Sequence, residues 1–390
     1  MKILFVSNWR LADGIAQATV RPLIELFQQN PSVTKVIVCS IESADSRPST
    51  NGKIHHFPVS RGRLSGLLLN LKCAFAIRRI VAENPVDMIW CKGSTAGAIG
   101  VMISALTGLP FVVDSFEPHA EYMIQAGQWR RFSLRYIIQS MFERAMRGKA
   151  IAILPVSWVY EQLLRKRAVP DKKLFVVPCV VNRQVFRFDP IEREVKRSGL
   201  GVSKEMIVGI YVGKYGGLYY EEEAFGIYKK AFEFWGQRFF LLLITESDQE
   251  TIRRLIIYFD LPKERILVTT SAHYEIPAFL NAADFAFSTV RSNAAMAHCS
   301  PIKHGEYWAC GLPILSTLMY GDDSQIIDTQ EGGVLLDLSN PDFDAVFGKT
   351  QEMFESKSRH HFAAIAQKYR DLRILDSSID FVLSLPELQN

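Results

Sequence analysis

The sequence predicts an α/β protein built from two Rossmann-like domains that face each other across a cleft. Three observations carry this. Short β-branched and apolar runs alternate with longer stretches of helical period, the pattern of a parallel sheet covered on both faces. The alternation is interrupted once by a charged, weakly patterned stretch and then starts again. A chain of 390 residues also exceeds what one hydrophobic core usually organises, about 250–300 residues.

In the first half the strand candidates are KILFVS at 2–7, KVIVCS at 35–40, DMIWC at 87–91, PFVVD at 110–114, IAILPVS at 151–157 and LFVVP at 174–178. In the second they are EMIVGIYVG at 205–213, RFFLLLIT at 238–245, RILVTT at 265–270, DFAFST at 284–289, LPILST at 312–317 and GGVLLDL at 332–338. Residues 94–113 carry no charge and reach membrane-spanning length, but Gly108 and Pro110 split them into a helix and a strand. The resulting division is a first domain at 1–185, a linker at 186–204, a second domain at 205–370, and a helical tail at 371–390 that packs back on the first domain. Ligands of such sheets bind beyond the carboxyl ends of the strands.

Composition narrows the function. With 48% hydrophobic and 22% charged residues, the chain is neither disordered nor low in complexity. Six scattered cysteines without a Cys-x-x-Cys pair argue against a zinc ribbon or a disulfide framework and for a reducing, cytoplasmic setting. The apolar run at the N-terminus is too short for a signal-peptide core and reads as the first strand. Charge is uneven: residues 1–190 hold 25 Lys and Arg against 13 Asp and Glu, and the remainder 20 against 28. A basic first half suits an anionic partner, and uneven surface decoration explains it equally well. Arg61, Arg63, Lys72, Arg78 and Arg79 flank LLLNL and CAFAI, while Arg130, Arg131, Arg135, Arg144 and Arg147 punctuate a second helical stretch. Such segments suit peripheral contact with an anionic membrane at its inner face. No nucleic-acid motif accompanies them, so a nucleic-acid partner is not expected.

The most informative segment is SPIKHGEYWACGLPILST at 300–317. A helix opens near Ser300 and Pro301 and stops at Gly311, the usual placement of Pro and Gly. The backbone amides near Ser300, Pro301 and Ile302 form the end that suits a diphosphate, and a carboxylate at Glu306 can grip a ribose diol. From local physics alone, the same residues also make an ordinary capped helix with a solvated Glu306. Asp342-Phe343-Asp344 has the form of a magnesium motif, but its place before a helix favours a cap, and no metal is expected.

This segment resembles the donor-site block of the family-four retaining glycosyltransferases, whose fold is GT-B, and the resemblance spans nearly the whole chain. It is the Ser-Pro-x-Lys…Glu-Tyr variant: Glu306 matches the second Glu of the Glu-x7-Glu motif, and His298 stands at the first. YVGKYGGLYYEEEAF at 211–225 resembles the segment that opens the second domain, with Gly213 and with Lys214 in place of a diphosphate-binding Arg. Tyr219 occupies the position of a second Lys, whose charge falls to Arg291 or Lys303. LPVSWVYEQLLRKRAVPDKKLFVVPCVVNRQVF at 154–186 resembles the stretch closing the first domain. Gly14 matches the glycine turn after the first strand. In FVVDSFEPHAEYM at 111–123, His119 matches a His that contacts the donor sugar, with Glu117, Glu121 and Asp114 nearby.

The resemblance implies a metal-independent, retaining, hexosyltransferase-like enzyme of polysaccharide or other cell-surface glycan biosynthesis. Its donor is a nucleotide diphosphate sugar and no further cofactor is required. Its acceptor is a glycan, a glycolipid or a small hydroxyl compound. The implied catalytic residues are His119 and Glu117, and the implied donor-binding residues are Gly14, Gly213, Lys214, Arg291, His298, Ser300, Pro301, Ile302, Lys303 and Glu306. The alternative, motivated by the missing first Glu and second Lys, is an inactive GT-B homologue that serves as a binding or partner subunit.

Overall fold

Every second residue of a strand points to the same face of its sheet, so a strand that is apolar throughout must be covered twice. In the first unit these strands are β1 (Lys2–Ser7), β2 (Lys35–Glu42), β3 (Ser49–Asn51), β4 (Ile54–Ser60), β5 (Met88–Lys92), β6 (Phe111–Ser115) and β7 (Ala152–Pro155). They lie in the order β3-β4-β2-β1-β5-β6-β7, all parallel except β3. The computed structural model describes every residue but 43–45, 61–65, 116, 320 and 390, so Arg61 and Arg63 fall outside the described residues.

The helices of this unit are α1 (Gly14–Thr19), α2 (Arg21–Gln29), α3 (Gly66–Glu83), α4 (Ser94–Thr107), α5 (His119–Gln125), α6 (Leu134–Lys149) and α7 (Trp158–Lys166). Leu4 and Val6 of β1 enter a core with Cys73 of α3, Ile99 of α4 and Met146 of α6. Ile3 and Phe5 enter the opposite core with Leu23 and Phe27 of α2. The uncharged run at 94–113 divides as expected, with Gly108 in a left-handed cap that ends α4 before β6.

The second unit begins with α8 (Pro190–Gly199), then β8 (Ile207–Val212), α9 (Glu222–Trp235), β9 (Phe239–Ile244), α10 (Gln249–Tyr258), β10 (Ile266–Thr269) and α11 (Ile276–Ala282). It continues with β11 (Phe285–Ser288), α12 (Ile302–Ala309), β12 (Ile314–Thr317), α13 (Asp322–Thr329), β13 (Gly333–Leu336), α14 (Phe343–Ser356) and α15 (Arg359–Tyr369). Its sheet is wholly parallel, in the order β10-β9-β8-β11-β12-β13. The last helix, α16 (Leu372–Leu383), returns to the first unit, which comprises Met1–Val180, His298–Ser300 and Leu372–Asn390; the second comprises Val181–Ala297 and Pro301–Asp371.

Three elements differ from the sequence reading. LFVVP at 174–178 is not a strand: Phe175 and Val177 donate to the carbonyls of Ile153 and Pro155, but only Leu174 forms a bridge, and Pro178 has no N–H to continue. β4 was not expected, because His55, His56 and Pro58 break its apolar pattern. Structurally they are accommodated: His56 bonds Ser40, and Pro58 lies beyond the reach of β3. The stretch 186–204 is not a bare linker. Asp189 accepts from Ile191 and Glu192 to start α8, and Arg193 and Arg197 from that helix pair with Asp284.

Gly209, in the middle of β8, shows how tightly the second sheet is filled. A Cβ there would lie 2.7 Å from the Phe287 ring and 3.0 Å from the Phe239 ring. Gly209→Ala should therefore destabilise the unit by roughly 1–3 kcal/mol through overpacking, read as a lowered denaturation midpoint with an unchanged denaturant slope.

Candidate functional site

In the second sheet the strand order reverses between β8 and β11, the place where doubly wound sheets leave an opening beyond their carboxyl ends. α12 starts there. Pro301 is its N-cap and supplies no side-chain acceptor, so the first amides of the helix carry their partial positive charge uncapped. Lys303 lies in the first turn. It is buried, at 7% exposure, and among the described residues its Nζ has no hydrogen-bond partner. Two rings hold it instead, with Nζ 4.5 Å from the centroid of Tyr211 and 4.3 Å from that of Tyr219. Burial pushes the Lys303 ammonium down to about 7, against the opposing pull of Glu306.

Gly213 is what lets the backbone pass this ammonium. Its φ of 140° favours glycine, and a Cβ there would sit 2.8 Å from Lys303 Nζ. The hydroxyl of Tyr211 donates to the carbonyl of Lys214, which ties the loop after β8 to the ring that carries Lys303.

One turn further along α12, Glu306 is buried at 5% exposure, and its Oε1 lies 2.6 Å from His273 Nε2. The His273 ring leans on Phe186 at 5.2 Å. Burial disfavours the imidazolium of His273, but the hydrogen bond and charge of Glu306 outweigh it and raise the pKa. Between these residues, His304 points the other way into the core. Its Nδ1 meets Asp323 at 2.6 Å and its Nε2 meets Ser288 at 2.7 Å, and Asp323 also pairs with Arg370. Ser288, His304 and Asp323 have the order of a hydrolytic triad, yet all three are wholly buried. Burial lowers the pKa of His304 and keeps its ring neutral. For Asp323 burial acts upward, and Arg370 with His304 hold the carboxyl below its usual range. The cluster fixes the pitch of α12 rather than meeting a substrate.

The other expected residues fall into two groups. Lys214 is two-thirds exposed and pairs with Glu246 at 3.2 Å. Arg291 lies over Tyr220, bonds the Tyr219 carbonyl and reaches Glu223 at 3.5 Å. Both border the loop after β8, as do Gly213 and Lys303. His298 and Ser300 group with the first unit: Ser157 Oγ donates to the His298 carbonyl, the His298 ring lies 5.8 Å from Tyr160, and Ser300 Oγ accepts from the Cys179 amide. Gly14 opens α1, and a methyl added there would meet nothing within 4 Å.

In the first unit His119 begins α5, with Nδ1 2.6 Å from Glu117 Oε1, and its ring lies between Tyr122 and Trp129. Burial disfavours the charged ring, and Glu117 together with Glu143 more than offsets it, so the His119 pKa is raised. Glu143, which accepts from the Ala120 amide, is itself pushed up to about 7 by burial. The Asp342 side chain accepts from the Ala345 amide and caps α14.

Residues 16–179 match the model of the glycosyl transferase 4-like domain. No curated protein sequence matches the chain. Among solved structures, sucrose-phosphate synthase from Thermosynechococcus elongatus superposes with a TM-score of 0.76 at 15% identity over 98% of both chains. WaaG, a glycosyltransferase involved in lipopolysaccharide biosynthesis, gives 0.73 at 16% identity over 98% of this chain and 99% of its own. Anabaena HepE in complex with UDP-glucose gives 0.71 at 14% identity over 98% and 99%. The chain has the GT-B fold.

Within this GT-B chain, sequence reasoning missed His273, Tyr211 and Asp323. His273 and Asp323 lie 33 and 19 residues from their partners on α12. Tyr211 reads as the inward residue of a strand. Only the two tyrosines on either side of Gly213 carried a usable signal, as a place where aromatic faces could shelter a cation.

Lys303 also makes a stability prediction. An ordinary lysine titrates near 10.4, whereas burial brings Lys303 to about 7. Between those values the unfolded chain holds a proton that the folded chain has released, so stability rises with pH and the burden is complete below that window. Lys303→Met should therefore raise the melting temperature by a few degrees in mildly acid buffer, with a gain that shrinks towards pH ~10. Scanning calorimetry across that range reads the effect.

Proposed function

We propose that the chain is a glycosyltransferase that moves a sugar from a nucleotide diphosphate sugar to a hydroxyl acceptor, with retention of configuration and without a required metal. One observation carries this reading: a buried ammonium, unpaired among the described residues, stands beside a helix start without a side-chain cap, one turn before a buried carboxylate. An apolar core would not keep such an ammonium unless something anionic offsets it in the working state. The donor diphosphate is that anion, held by the amides of Ile302 and Lys303, by the Lys303 ammonium and by the outlying charges of Lys214 and Arg291. Glu306 takes the ribose hydroxyls, and His273 orients its carboxylate.

As the glycosidic bond loosens, negative charge accumulates on the leaving diphosphate, and these cations stabilise it where another design would use a metal. Retention follows when the leaving phosphate oxygen takes the acceptor proton from the face on which the new bond forms. The acceptor is assigned to the first unit, where the Glu117–His119 pair holds a dissociable proton, and a lipid-linked or cell-surface glycan precursor is the proposed class. The complex of HepE with UDP-glucose supports UDP-glucose as the first donor to try.

Release of UDP from UDP-glucose, with and without hydroxyl acceptors, should fall to background in Glu306→Ala while the fold is kept; unchanged turnover would remove the site. Lys303→Met should weaken UDP binding by roughly 10–100-fold. The wild type should take up close to one proton per UDP above pH ~7, seen as a dependence of the binding heat on buffer ionisation, because an arriving diphosphate raises the Lys303 pKa. A wild-type chain that binds no nucleoside diphosphate at all would instead identify an inactive GT-B subunit.

A further inference from the structure

α3 and α6 both pack beside α4 and send their inner residues, Cys73 and Ile77 from one and Met146 from the other, into the same core. Their outer faces therefore lie on one side of the first sheet, with axes roughly 16–20 Å apart given usual helix spacing. Each outer face carries the same stripe. On α3 it is Leu68, Leu71 and Phe75, at 62%, 38% and 53% exposure; on α6 it is Leu134, Ile137 and Met141, at 73%, 43% and 66%. Both stripes follow i, i+3, i+7, the spacing by which a helix normally buries a face. Single exposed apolar residues are ordinary, but two such stripes on helices of one layer, on either side of α4, are not.

The charges around the stripes are of one sign. Arg78 and Arg79 flank the first, and Arg130, Arg131, Arg135 and Arg144 the second, all of them exposed. None of these six arginines forms an ion pair among the described residues. The acidic residues of the two helices are Glu83, at the far end of α3, and Glu143, which is buried. Just before α6, Phe132 is held at φ 64° with 72% of its surface exposed, beneath the guanidinium of Arg131 at 5.6 Å. A phenylalanine in left-handed backbone is costly, and here no burial compensates it.

We propose that the outer faces of α3 and α6, with Phe132, form a docking surface for an anionic lipid bilayer. Apolar side chains at this spacing enter the boundary between headgroups and acyl chains, and arginines at their margins meet lipid phosphates, the arrangement of helices that lie in a membrane surface. A second copy of this chain fits less well, because it would set unpaired arginines against arginines. The surface lies wholly in the first unit and does not depend on the donor-site reading.

Flotation of the full chain tests it, using phosphatidylcholine vesicles with and without a phosphatidylglycerol fraction. The wild type should float with the anionic vesicles and stay behind with the neutral ones, and added salt should weaken the association. Replacing Leu68, Phe75, Leu134 and Met141 together by Ser should reduce partitioning at least roughly tenfold, as should replacing Arg78, Arg79, Arg135 and Arg144 together by Gln. Both variants should bind UDP as the wild type does and keep its far-ultraviolet circular dichroism, which separates loss of docking from loss of fold. Equal flotation with neutral and anionic vesicles, or undiminished flotation of the variants, would overturn the proposal. So would absence of flotation combined with a concentration-dependent dimer that the Ser variant loses, which would identify the face as an interface between copies.

Discussion

The buried carboxylate of Asp323 is the interaction on which the candidate site depends. It stands at the start of α13, accepts a hydrogen bond from Nδ1 of His304 and pairs with Arg370 at the end of α15. A charge removed from water in this way is costly unless its remaining lone pairs are met, and here two donors from two other helices meet them. His304 lies between Lys303 and Glu306 in sequence, so fixing its ring fixes the rotation of α12. Lys303 is thereby set against Tyr211 and Tyr219, and Glu306 against His273. Buried ion pairs are poor evidence for net stability, but this one explains why a short helix holds a lone ammonium at a single orientation.

The architecture was legible because parallel strands covered on both faces leave continuous apolar runs, which is how β1, β8 and β11 appear in the sequence. β4 was not, since two histidines and a proline hide a strand whose needs are met by Ser40 and by a short neighbour. LFVVP misled for the converse reason, being apolar enough for a strand and yet stopped by Pro178. Local pattern reports burial and reports hydrogen-bonded pairing only indirectly.

For the site, the short-range part was readable: Pro301, Lys303 and Glu306 lie within six residues, and helix chemistry connects them. What joins them to the remainder depends on contacts across tens of residues. His273 against Glu306 and Tyr219 against Lys303 have no local signature, and their significance appears only when both partners are placed. The departure at Tyr219 acquires a physical content in this way. A ring where relatives of the resembled family carry a cation becomes a shelter for a cation supplied by α12.

The return of α16 to the first unit bears on how the protein is made. Leu375, Ile379 and Val382 complete a core whose other members come mainly from β1, α1, α2, β2, β5, β6, β7 and the segment that ends at Val180. During translation α1 and α2 can cover part of that face early, but the part beneath α16 stays open until the second unit has been made, although the strands emerge before it. The second unit, contiguous but for three residues, has no such wait. One layer of the molecule is thus completed only after a whole second unit has been made, and in that interval part of an apolar sheet face is open to chaperones or to aggregation.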